Sequence, residues 1–192
     1  MKLIAVSVVA LVVITQTGCV PTNPAEDLTS VPAEGIPLSV LVEAPERVPS
    51  VRVGDAVLAV AQYEWFADGG WDTHLVVDPR TVPITNVEAV HDQLIFEIDT
   101  AVAPQLAVVS FYPNEDSDGL PDASTGSDVD CHEEVDCRVR VDGDRTRVTV
   151  KSPQSGVVVL RLAYAKTDPA STPGHPEILS LTASWATRVG SS

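Results

Sequence analysis

Arg138-Val139-Arg140-Val141-Asp142-Gly143-Asp144-Arg145-Thr146-Arg147-Val148-Thr149-Val150 alternates polar with apolar or small residues on both sides of a glycine. Period-2 alternation turns successive side chains to opposite faces of a strand, so this stretch reads as a half-buried hairpin. Placing Gly143-Asp144 as a two-residue turn sets Val141 against Thr146, Val139 against Val148 and Cys137 against Val150. Apolar then faces apolar, and Arg140 stands opposite Arg147 on the wet face. Moving the turn to Asp142-Gly143 would set Val139 against Arg147 and bury a charge. A glycine in the first turn position also suits a type II′ hairpin.

The same signals recur along the chain. Leu38, Val40 and Val42 alternate with polar neighbours, Val53 to Tyr63 is a longer apolar stretch, and Leu75-Val76-Val77 is bounded by Pro79. Leu94, Phe96 and Ile98 share a face, as do Val158, Leu160, Leu162 and Tyr164, and then Leu179, Leu181, Ala183 and Trp185. Leu106 to Tyr112 is nearly continuous, as expected of a strand covered on both sides. No stretch sustains helical spacing beyond two turns. Seven to nine short strands predict an all-β chain with a single antiparallel β-sandwich over residues 36–190. An immunoglobulin-like type is expected, with a jelly roll as the alternative. Cys131 and Cys137 are too close in sequence for the inter-sheet bridge of an antibody domain.

The 192 residues suffice for one domain with short extensions. The balance of 12 Lys+Arg against 27 Asp+Glu, a net charge of −15, argues against a nucleic-acid partner, which needs a basic face. It argues equally against charge-driven binding to an anionic membrane surface.

At the N-terminus, Met1-Lys2 supplies one charge, Leu3 to Ile14 is almost entirely apolar, and Thr15-Gln16-Thr17-Gly18-Cys19 follows. A charged start, a short apolar run and small residues before a cut describe a secretory signal over residues 1–18. The run falls short of the roughly 20 apolar residues of a membrane span. Thr17-Gly18-Cys19 resembles a bacterial lipobox. That resemblance implies that Cys19 becomes the lipid-modified, palmitate-bearing first residue of an exported lipoprotein. The mature protein would then be anchored in the cell envelope, on the periplasmic side or at the cell surface. Residues 19–35, rich in Pro and poor in large apolar side chains, then serve as a flexible tether. The competing readings are a plain secretory cut that leaves an ordinary cysteine, and an uncleaved anchor. If Cys19 carries lipid, Cys131 and Cys137 remain as a pair in an oxidising compartment, where a disulfide is expected.

Residues 114–137 hold nine acids and no Lys or Arg. Within them, Asn114, Asp116, Asp118, Leu120 (through its carbonyl) and Asp122 lie at the alternate spacing of an oxygen cage for calcium, with Gly119 for the sharp turn. The stretch resembles the DxDxDG loops of EF-hands and thrombospondin type 3 repeats. It departs from them in Asn114 at the first position and Thr125 at the closing one. The alternative is a solvated acidic loop clipped by the disulfide. Cys131, His132 and Cys137 lack established zinc spacing.

Tyr63 to Asp72 clusters aromatics about Gly69-Gly70, and Trp65 and Trp71 are candidates for a ligand or glycan platform or, alternatively, caps on the core. No catalytic motif occurs, and the four histidines fall on separate segments. His132 beside Glu133 and Glu134 is the best set a hydrolase would have. Three functions follow: an envelope or surface interaction module, a small-ligand or glycan binder, and a cell-envelope hydrolase. The partner is an envelope protein or glycan, beside the membrane that holds the lipid.

Overall fold

A computed structural model describes residues 43–89, 92–172 and 174–190. The signal segment, Cys19, the tether and the strand expected at residues 38–42 lie outside them. Twelve strands occur among the described residues: β1 Val51–Val53, β2 Ala56–Leu58, β3 Val60–Ala67, β4 Gly70–His74, β5 Ile84–Val87, β6 Gln93–Ile98, β7 Leu106–Tyr112, β8 Ser127–Asp130, β9 Cys137–Asp142, β10 Arg145–Lys151, β11 Gly156–Thr167 and β12 Ile178–Val189. They build two antiparallel sheets packed as a β-sandwich. One has five strands in the order β2-β1-β6-β10-β9, and the other has seven, β4-β3-β12-β11-β7-β8 with β5 added beside β12.

The β9–β10 hairpin forms in the register its alternation dictates. Val141 pairs with Thr146, Arg140 with Arg147, Val139 with Val148 and Cys137 with Val150. Gly143 supplies the positive φ of the turn, 65°, which costs glycine nothing sterically. On the inner face, Val148 and Val150 join Leu94, Phe96 and Ile98 of β6. Across the core they meet Val158, Leu160, Leu162 and Tyr164 of β11, with Leu181, Ala183 and Trp185 of β12.

Three departures from the alternation have physical causes. The apolar stretch Val53–Tyr63 spans three strands, because Gly54 at φ 56° turns β1 back as β2 and the chain then crosses at Ala59 into the other sheet. Leu75-Val76-Val77 is not a strand: β4 ends at His74, and Val77 is 96% exposed. Apolar residues form a strand only beside a partner. Here Asp78 instead accepts from the Arg80 N–H and starts a 3-10 turn at Pro79. The polar segment Ser127–Asp130, in turn, becomes β8 because β7 offers it a free edge. The one parallel pairing among the described residues follows a register shift between Ser184 and Trp185, where β3 leaves β12 and β5 takes its place from Ala186 to Val189.

Cys131 and Cys137 form the expected disulfide, and both are buried. Close as they are in sequence, they join different sheets. Cys131 continues the β8 ladder by donating its N–H to the Ala107 carbonyl, and Cys137 opens β9. The bridge therefore clasps the two edges on one side of the sandwich rather than crossing its middle.

Candidate functional site

The site grows from residues on the far side of β11 and β12. β11 is covered on both faces: Val158, Leu160 and Leu162 point into the core, while Val157 is equally buried on the opposite side. That second face is overlain by two loops. One is the acidic connection from Pro113 to Gly126, and the other is the segment from Val76 to Val82, which leads into β5. Between them lies a cavity of about 480 Å³, floored by Val157, Val159 and Ala186 and walled by Val76, Pro79, Leu120 and Pro121. A second cavity of about 500 Å³ adjoins it over Leu106, Val108 and Thr182. The two share Gln62, Arg161 and Ser184, so three polar side chains stand at the middle of one groove.

Ion pairs hold the walls. Arg80 of the 3-10 turn meets Asp118 of the acidic loop at 3.0 Å, linking one wall to the other. Arg188 of β12 donates through Nε to Glu115 Oε1 at 2.9 Å. Arg161 reaches Asp128 at 3.0 Å and the Ser110 hydroxyl at 3.2 Å. Each exposed pair is worth at most about 1 kcal/mol, so their contribution is position rather than stability. The acidic loop is seated against β11 at Gly156. There φ is 122°, and a Cβ would lie 2.5 Å from the Tyr112 carbonyl oxygen.

The carboxylates of the calcium reading are engaged within the chain. Asp116 Oδ1 accepts from the N–H groups of Asp118 and Leu120, both at 2.9 Å. Asp118 pairs with Arg80, and the Asp122 N–H donates to the Asn114 carbonyl at 3.0 Å. Asp122 Oδ1 accepts from the Ser124 hydroxyl and N–H, which hold its carboxyl below the ordinary 3.8. Among the described residues, no three His, Cys, Asp or Glu side chains converge as a metal-holding group. Charge crowding in this loop is therefore relieved by backbone amides and two arginines.

Trp65 and Trp71 are not brought together on one surface. Trp65 is core, with its indole N–H donating to the Pro45 carbonyl at 3.2 Å and its ring edge-on to Tyr164. Trp71 is 52% exposed on the edge strand β4 and packs edge-on against Phe66. Tyr63 stacks on His74, and its hydroxyl lies 3.3 Å from the Asp72 carboxylate oxygens. Partial burial and then the Asp72 charge push that phenol above its ordinary value. His132, Glu133 and Glu134 are all exposed on the tight turn between the cysteines. With the two sulfurs joined to one another, the zinc reading of Cys131, His132 and Cys137 loses its thiolates.

Gln62, Arg161 and Ser184 were not singled out by sequence reasoning. The one indirect signal is the nearly continuous run Leu106 to Tyr112 of the neighbouring β7, which implies a sheet covered on both faces. No family model matches the chain, and no curated protein or solved structure matches it.

Proposed function

We propose that this chain is a binding module of the cell envelope. Cys19 carries lipid, residues 19–35 form the tether, and the sandwich presents its groove to an extended segment of an envelope partner. The observation that carries this reading is the groove itself: two adjoining cavities with an apolar floor and the polar trio Gln62, Arg161 and Ser184 at their junction. Apolar clefts with a few convergent polar groups are the usual form of a binding site. The acidic loop then acts as a wall. A glycan-binding role for the aromatic turn has weaker support, because Trp71 alone of the tryptophan pair is exposed.

Strand order supports an immunoglobulin-like frame. The order β1-β6-β10-β9 corresponds to strands A-B-E-D of that fold, and β12-β11-β7-β8 to G-F-C-C′. The β3–β4 hairpin is then an addition beyond the last strand.

A photo-crosslinking side chain at Val159, in cells making the full chain, tests the groove. A discrete adduct that disappears with Arg161→Glu is expected, and no adduct at Val57 on the other sheet. Absence of an adduct at Val159 overturns the groove as the site. Labelled palmitate should enter the native chain and not the Cys19→Ala variant.

A further inference from the structure

The outer face of the five-stranded sheet inverts the sign of the chain. Overall there are 12 Lys+Arg against 27 Asp+Glu. Yet alternation turns Arg52, Arg138, Arg140, Arg145, Arg147 and Lys151 out onto this face. The carboxylates that the same strands present there are Glu97 and Asp142. Pairing aligns Arg140, Arg147, Glu97 and Arg52 in one row across four strands, with about 4.8 Å between neighbours. Like charges facing one another across strands are destabilising unless an anion is shared.

The carboxylates carried by the strands themselves are already committed. Glu97 lies 3.5 Å from Arg145 and 3.2 Å from Arg147, and Asp142 lies 3.0 Å from Arg147. Among the described residues Arg52, Arg138, Arg140 and Lys151 have no ion-pair partner. The face is also concave, with a trough of about 1120 Å³ running over Ile95, Arg138, Arg140, Val141, Arg147 and Lys151. Four carboxylates, Asp92, Glu97, Asp136 and Asp142, line it against Arg138, Arg140, Arg147 and Lys151. Asp92 and Asp136 lie at the Lys151 end of the strands, so the middle rows hold Arg138, Arg140 and Arg147 against Glu97 alone. Among the described residues no aromatic side chain lines it. That removes the stacking on which single-stranded nucleic acid depends and the aromatic anchors typical of a protein interface.

We propose that this face binds an acidic polysaccharide, a linear polymer with carboxylates on successive sugars, independently of the groove on the other sheet. Guanidinium groups take carboxylates in a planar, two-pronged fashion. Arginines repeated across and along the strands match charges repeated along a polymer, and an open trough accepts a chain at any point of its length.

The test is fluorescence polarisation of labelled oligogalacturonate with the full mature chain in neutral detergent, at low and at physiological salt. Binding at low salt that weakens about tenfold at physiological salt is expected. Arg138→Gln with Arg140→Gln should weaken it about tenfold further, while Lys166→Gln on β11 of the other sheet leaves it unchanged. If the double variant melts early, Arg52→Gln with Lys151→Gln carries the same comparison. No binding at low salt, or equal binding by every variant, overturns the proposal. Competition by polyglutamate as strong as by unlabelled polygalacturonate overturns the polysaccharide as partner. The crosslink at Val159 is unaffected in each case, so the two sites fail separately.

Discussion

The two outer faces of the sandwich were built by opposite rules. On the five-stranded sheet, β10 alternates strictly, with Thr146, Val148 and Val150 buried and Arg147 and Lys151 exposed. Its outer face is open, regular and cationic. On the seven-stranded sheet, β11 and β12 bury residues on both sides, and loops carry the acids above them. A net charge of −15 therefore describes neither face. It sums a basic sheet and an acidic loop system that point in different directions.

That contrast breaks or sharpens under substitution. The largest effect is expected at Gly156, where a side chain would meet the Tyr112 carbonyl oxygen and the Pro113 Cα within 3.0 Å at a φ of 122°. Gly156→Ala should cost on the order of 3 kcal/mol in denaturant unfolding. A loss below about 1 kcal/mol would mean that the covered side is no tighter than the open one. Replacing Cys131 and Cys137 together by Ala should cost about 2–3 kcal/mol, since the closed loop is short and both residues are buried. Gly143→Ala, at a φ of 65° with nothing within 4 Å of the added atom, should cost only about 1 kcal/mol. The difference between the two glycines combines the closer packing at Gly156 with a φ of 122° that L-residues reach far less readily than 65°.

The smallest effect belongs to Asp122, whose carboxyl is held below 3.8 by Ser124. A folded-state value that is lowered stabilises the fold above the ordinary value and is lost as pH falls through the folded one. Thermal midpoints of the native chain and Asp122→Asn should therefore differ at neutral pH and converge below about pH 3.8. Millimolar calcium is expected to leave the native midpoint unmoved, because Asp116, Asp118 and Asp122 already have partners. A rise abolished by Asp116→Ala would show those bonds being exchanged for a cation.

The sequence revealed one-sided strands well and two-sided surroundings poorly. Period-2 alternation and a glycine-first turn determine the β9–β10 register residue by residue, and β6 follows from the same alternation. Nothing local separates Leu75-Val76-Val77 from a strand, because pairing depends on what lies alongside. Nor does the polar Ser127–Asp130 announce a strand that exists by courtesy of β7. The cysteine count, with Cys19 set aside for lipid, foretold the disulfide. It did not disclose that two neighbouring segments belong to different sheets. Of the groove, only the run Leu106 to Tyr112 was legible as a strand covered on both sides; the floor residues Val157, Val159 and Ala186 were not. Nor were Arg161 and Ser184, since a single polar residue in an apolar run looks the same whether it faces solvent or a cleft.

β11 and β12 are the longest strands among the described residues, paired with each other over twelve positions. β7 flanks one from Val157 to Ala163, and β3 followed by β5 flanks the other from Thr182 to Val189. Amides bonded within such a doubly flanked pair exchange with solvent only when the whole domain opens. Val157, Val159, Arg161, Ser184 and Ala186 all belong to that doubly flanked stretch, whereas the walls above them are loops. On the proposed function, a partner entering the groove would therefore meet a floor that is already rigid. Whatever ordering it must impose is confined to the loops on either side.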